Sequence, residues 1–227
     1  MTNADEQPRA GFCRPLRRDA QLNRQRIIEA AREIFAVRGL AATLDDVAHH
    51  AGVGIGTVYR RFPTKEELVD AALEDRLAEF AGAAEAALRA PTGWEGLTAF
   101  LRTVAEMHAA DRGLRDVALG AGVGHRQHER IAERMEPLVD QLIERARAEG
   151  TLRPDITAED LPPLLMMISD LAHHSHPVRP DLYRRYLQLL IDGLRCAPTA
   201  GDLGRPLTRD DIDALARQWL PTIEPRR

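Results

Sequence analysis

Cysteine is almost absent from this chain, and its two copies, Cys13 and Cys196, support neither a disulfide framework nor a metal-ligand spacing. Lysine is scarcer still, with Lys65 alone among 31 basic residues. Only ten of 227 residues are aromatic, and the runs of Val, Ile, Thr and Tyr that build strands are nearly missing. No stretch reaches the ~18 consecutive apolar residues of a membrane span. The opening MTNADEQPRAGFCRPLRR lacks the apolar centre of a signal peptide. These absences predict an all-α, cytoplasmic protein with no membrane partner. Enzyme chemistry is not legible either. No serine sits in a nucleophile elbow, neither cysteine has a recognisable base nearby, and the carboxylates are scattered over helix faces. No cofactor is expected.

What is present is a charge asymmetry and a series of helical patterns. Residues 1–65 carry 11 Arg and Lys against 7 Asp and Glu, whereas the remaining 162 carry 20 against 28. A basic end on an acidic body points to a polyanion partner at that end. Residues 1–20, with Pro8, Gly11 and Pro15, have no periodicity and read as a flexible basic arm. From Leu22, the positions Ile27, Ile28, Ala31, Ile34 and Phe35 recur at helical spacing until Gly39 stops them. Thr43 is a candidate N-cap with Asp46 at the capping-box position, and Leu44, Val47, Ala48 and Ala51 form the apolar stripe of a short second helix. A third helix is predicted over Ile55–Arg61, ended by Pro63, and a fourth over Thr64–Arg89 with Leu68, Leu73, Leu77 and Phe80 inward. Further helices are predicted over Trp94–Ala110, Arg112–Gly120, Gln127–Glu149, Ala158–His173, Pro180–Arg195 and Thr208–Leu220.

Between helices two and three lies AGVGIGTVYRRF, with Gly52, Gly54 and Gly56 on alternate positions. A dinucleotide fingerprint or P-loop needs a preceding strand and a different glycine spacing. A helix–turn–helix accounts for the stretch better. Gly52 supplies the tight turn, Val53 locks the two helices, Val58 and Phe62 anchor the third helix, and Gly56 permits close approach to another backbone. Ile55, Thr57, Tyr59 and Arg60 are then left on or near the outward face, where a two-turn helix fits a major groove.

The stretch RIIEAAREIFAVRG followed by TLDDVAHHAGVGIGTVYRRFPTKEEL resembles the DNA-binding domain of the tetracycline-repressor-like (TetR) regulators, position by position from Ile27 to Leu68. Two departures stand out. Gly54 replaces the usual serine cap of helix three, and Arg61 replaces the usual His or Tyr before Phe62. The resemblance implies a double-stranded DNA operator as partner. Thr43, Tyr59 and Lys65 would meet phosphates, and Ile55, Thr57 and Arg60 would face base edges or, for Arg60, a phosphate, with Gly54 and Gly56 at the helix start. Arg14, Arg17 and Arg18 of the arm would reach a minor groove or have no specific role.

The implied organisation is an arm (1–20), a three-helix helix–turn–helix domain (21–66), a larger helical ligand-binding and dimerisation domain (67–197), and a linker with a short C-terminal helix (198–227). Self-association as a homodimer would use Leu161, Leu164, Leu165 and Ile168 of one helix with Tyr186, Leu187, Leu190 and Leu194 of the next. The alternative is burial of both stripes within one subunit. A pocket for an unidentified small-molecule effector is expected among Trp94, Phe100, Met107, His108, Met135, Met166, Met167 and Asp170. The triplet His173, His174 and His176 invites a metal reading, but its spacing at a helix end beside Pro177 does not favour one. The function so implied is a ligand-responsive regulator, most simply a repressor. The alternative is a dimeric small-molecule-binding or interaction protein whose DNA-binding domain is vestigial.

Overall fold

The computed structural model describes residues 14–118, 125–198 and 201–219, and ten α-helices account for most of them. The first, α1 (Arg14–Arg38), begins inside the stretch expected to be an arm. Pro15 explains the difference. In the first turn of a helix its missing N–H is one that has no partner anyway, so it opens α1 rather than interrupting it. Residues 1–13, with Cys13, lie outside the described residues.

Ile27, Ile28, Ala31 and Phe35 of α1 are buried against α2 (Leu44–Ala51) and the start of α4 (Lys65–Ala87), with α3 (Ile55–Arg61) docked on α2. Gly39, at φ 64°, ends α1 and opens a 3-10 turn over Gly39–Ala41. Gly52, at φ 65°, makes the turn between α2 and α3, so both glycines hold the left-handed backbone that other residues resist. Arg32 fastens α1 to α4, donating from Nε to the Ala72 carbonyl at 2.9 Å and pairing through Nη2 with Asp75 at 2.7 Å.

Helix α4 is continuous across residues 66 and 67, and its Leu68, Leu73, Leu77 and Phe80 are all buried. Its first half completes the N-terminal core and its second half packs on α5 (Gly93–Ala110) and α7 (His125–Ala148). One buried cluster therefore runs from Ile27 to Leu194 with no gap at the expected domain boundary. Glycine permits a close helix contact: a Cβ on Gly93 would lie 2.3 Å from the Ala146 nitrogen. The short α6 (Arg112–Ala118) packs on α1, where Gly113 admits Phe35.

The last described helices are α8 (Leu161–Ser175), α9 (Leu182–Gly193) and α10 (Arg209–Trp219). A 3-10 turn over Ala158–Asp160 precedes α8, because Pro162 and Pro163 suit only the opening turn of an α-helix. Helices α8 and α9 pack on each other and on α5.

Candidate nucleic-acid interface and an interior cavity

The α2–α3 unit is held by local hydrogen bonds that its sequence specifies. Thr43 Oγ1 accepts from the Asp46 N–H at 3.2 Å, and Asp46 Oδ2 accepts from the Thr43 N–H at 2.8 Å, closing a capping box. Thr43 Oγ1 also donates to Asp46 Oδ2 at 2.7 Å, and the Thr43 N–H and hydroxyl bonds to that carboxylate, with Arg38 at 2.8 Å, hold its pKa down to about 2. Gly54 caps α3 with no side-chain bond. Thr64 caps α4, accepting from the Glu67 N–H at 3.2 Å.

On α3, Val58 is fully buried, Ile55 and Thr57 are half-buried, and Tyr59, Arg60 and Arg61 are exposed. Arg60 Nη2 donates to Thr57 Oγ1 at 3.1 Å, which ties the two outward polar groups together. A Cβ on Gly54 or Gly56 would meet nothing within 4 Å. The expected close approach at Gly56 is thus not to this chain's own backbone; the position is open to the outside.

Lys65, expected at a phosphate, is engaged within the chain. Its Nζ donates to the Leu40 carbonyl, folding the side chain back between α4 and the turn after α1. Burial pushes its pKa down, and the charges of Asp116 and Asp46 oppose that shift. The ammonium is occupied within the chain because a carbonyl lies within its reach across the α1–α4 junction.

A cavity of about 180 Å³ opens between α5, α7, α8 and α10. Of the residues expected there, Phe100, His108, Met135 and Met166 line it. The other four are elsewhere. Trp94 lies at the start of α5, beneath the Arg195 guanidinium at 4.4 Å. Met107 and Met167 follow or precede lining residues by one position, about 100° around their helices, and Met167 is 49% exposed. Asp170 turns to Arg115 Nη1 at 2.9 Å. Sequence reading missed Phe80, Ile131 and Val139, and it also missed Arg209, Ile212 and Leu215 of α10. Arg209 pairs with Glu136 of α7 across the cavity lining.

Leu161 and Leu165, expected at a subunit interface, line the same cavity. Ile168, Leu187 and Leu194 are buried within the chain. Each of the five sits on the side of its helix that faces the subunit's own core. The outward side of α8 and α9 instead carries Met167, Tyr186 and Leu189, all exposed, flanked by half-buried Leu164 and Leu190.

Among the described residues no group of three His, Cys, Asp or Glu is placed to hold a metal ion. His173 Nε2 lies 3.0 Å from Arg112 Nη1, and His174 Nδ1 lies 2.8 Å from the Asp170 carbonyl oxygen. No described helix is long and apolar enough to cross a membrane.

A capped helix–turn–helix with a cationic outer face, fused to a helical body with an interior cavity, defines the class of one-component helix–turn–helix regulators. Comparison with known proteins gives the family. Residues 27–72 match the profile "Bacterial regulatory proteins, tetR family", and residues 92–196 match "Transcriptional regulator SbtR-like, C-terminal domain". The chain is 35% identical to a TetR transcription regulatory protein from Mycobacterium vanbaalenii, covering 80% of this chain and 99% of that one, with a TM-score of 0.47. It belongs to the TetR family. The ketosteroid transcriptional regulator KstR2 of Mycobacterium tuberculosis, at 23% identity over 76% of this chain and 94% of its own, has the same fold with a TM-score of 0.54. The HTH-type transcriptional regulator SrpR of Pseudomonas putida is 48% identical over 59 residues. That match spans 26% of this chain and only 28% of SrpR.

Proposed function

We propose that this chain represses transcription as a homodimer, binding a palindromic duplex operator through α3 and releasing it when a small molecule occupies the cavity. The observation that carries the reading is the outer face of α3. Tyr59, Arg60 and Arg61 project from a helix anchored by Val58 and Phe62, so cations and a phenol are held out on a rigid support. The exposed stripe of Met167, Tyr186 and Leu189 on α8 and α9 supports the dimer, because a second copy would bury it. Two copies would then bring two α3 helices to half-sites about one DNA turn apart. The effector acts by preferring the cavity of the released state, and a differential affinity of a few kcal/mol is sufficient. The chain is a regulator rather than an enzyme in this reading, acting in the cytoplasm.

The test is selection of bound duplexes from a random pool, with wild type and Tyr59→Ala in parallel. Enrichment of a palindrome by wild type alone is the expected result. Absence of any enrichment at low salt would overturn the operator-binding reading, since phosphate contacts strengthen as salt falls.

A further inference from the structure

Among the described residues five polar side chains line the cavity, and four of them have a partner in the chain or in solvent. Arg209 and Glu136 pair with each other, His128 Nδ1 lies 3.1 Å from the Ala118 carbonyl oxygen, and Glu159 is half-exposed to water. His108 differs. It is 3% exposed, it stacks on Phe80 at 5.7 Å between ring centroids, and neither of its ring nitrogens has a hydrogen-bond partner among the described residues. A buried polar group left without a partner is costly, and such orphans concentrate where a ligand or water completes them.

The charge state of that orphan is set by its surroundings. Burial, with the Arg115 charge adding to it, lowers the His108 pKa to about 3, so the imidazole is neutral at physiological pH. A neutral imidazole offers one donor and one acceptor. A hydroxyl can accept from the first or donate to the second, so it suits either tautomer. An anion finds no free cation among the described residues here. Arg115 is held by Asp116 and Asp170, each at 2.9 Å, and Arg209 is held by Glu136. A cation would meet the field of Arg115 at the His108 end. The space limits size as well: a cavity of about 180 Å³ is slightly larger than the ~150 Å³ that accommodates benzene.

We propose that the effector is an uncharged, compact, mainly apolar molecule of roughly ten non-hydrogen atoms bearing a hydroxyl group, and that His108 hydrogen-bonds to that hydroxyl. This rests on the effector-responsive reading above and specifies the chemistry of its cavity.

Three probes of one shape test it by calorimetric titration into the full chain at pH 7: 2-naphthol, naphthalene and 2-naphthoate. The expected order is naphthol tighter than naphthalene by about tenfold, the worth of one neutral hydrogen bond, with naphthoate weakest. His108→Leu is expected to weaken naphthol alone, bringing it level with naphthalene. In wild type, the His108 ring nitrogen resonances should move with naphthol and not with naphthalene, a readout that needs no variant to fold. Equal binding of naphthol and naphthalene, tightest binding of naphthoate, or unmoved His108 resonances would each overturn the proposal. The titrations contain no DNA, so they read the cavity whether or not the chain recognises an operator; the duplex selection reads that separately.

Discussion

Asp116 Oδ2 accepts a hydrogen bond from the Leu40 backbone N–H at 2.8 Å, joining α6 to the turn that leads into α2 across 76 positions of sequence. The same carboxylate pairs with Arg115 at 2.9 Å, and Arg115 reaches on to Asp170 of α8. One buried ion pair thus connects the cavity-bearing body to the backbone just ahead of the reading head. Gly39 makes the arrangement possible, because a Cβ there would lie 2.3 Å from Asp116 Oδ2.

Asp116→Ala leaves the Leu40 N–H unpaired and removes one of two anions from a buried guanidinium, so it should destabilise the chain by about 3–5 kcal/mol. Gly39→Ala should also destabilise it, through the left-handed φ of 64° and through the clash with the carboxylate. The clash disappears when Asp116 is already truncated. The double variant should therefore cost less than the two singles added together, by about 1 kcal/mol or more. Urea unfolding of all four proteins measures this, and strict additivity would show that the two residues do not touch energetically.

Replacing His108 by leucine should leave stability unchanged or raise it, because two orphaned polar atoms are removed from an apolar site. The pH dependence carries a sharper sign. The folded His108 pKa of about 3 lies below the ordinary 6.5, so between those values the unfolded chain takes up a proton that the folded chain refuses. Stability is then lost as pH falls through that window, by up to about 1.4 kcal/mol per pH unit from this group. His108→Leu should flatten the wild-type slope between pH 6 and 4. Parallel slopes in denaturant unfolding would sink the assignment of a buried neutral imidazole.

Lys65 and Arg60 should part company in DNA binding. Lys65 Nζ is engaged by the Leu40 carbonyl, whereas the Arg60 guanidinium is exposed at the surface of α3. Removing a cation that neutralises one phosphate should lower the slope of log affinity against log salt by about 0.9. Arg60→Ala should show that decrease if it meets a phosphate, and an altered selected sequence if it reads a base. Lys65→Met should destabilise the fold while leaving the slope unchanged. A reduced slope for Lys65→Met would mean that the ammonium swings out to DNA.

The helices and their order are legible in the sequence because local signals agree with tertiary ones. Thr43, Thr64 and Gly52 mark ends, and apolar positions recur at the period of the helix between them. Reading fails where the answer depends on which side of a helix meets which neighbour. Leu161, Leu165, Ile168, Leu187 and Leu194 form regular stripes, and a stripe at helical spacing does not say whether it faces its own core or another subunit. Met166 and Met167 are adjacent and alike in chemistry, yet one lines the cavity and the other is half-exposed. Resemblance alone puts Lys65 at a phosphate, and only the folded chain brings the Leu40 carbonyl to it. The contribution of α10 is hidden for a further reason. Its Ile212 and Leu215 form an apolar pair on a helix that also carries Arg209, Asp210, Asp211, Asp213 and Arg217, which is legible, but the Arg209–Glu136 pair that joins it to α7 is made across a linker of unrelated sequence.

That seat gives the last prediction. Helix α10 supplies Arg209, Ile212 and Leu215 to the cavity lining, so a chain ending at Pro198 should keep its reading head and lose one wall of the cavity. Operator affinity should be unchanged, because the core that supports α3 is formed by α1, α2 and α4. A dye that fluoresces on apolar surface should brighten on the shortened chain, since the apolar groups beneath Ile212 and Leu215 become open to it. Affinity for 2-naphthol should fall by at least about tenfold, the worth of the apolar surface removed. The ion pair by itself should not preserve binding: a full-length chain with Ile212→Ser and Leu215→Ser keeps Arg209 and Glu136 but should lose naphthol affinity to a similar degree. Unchanged dye fluorescence together with unchanged naphthol affinity in the shortened chain would show that α10 does not wall the cavity in solution.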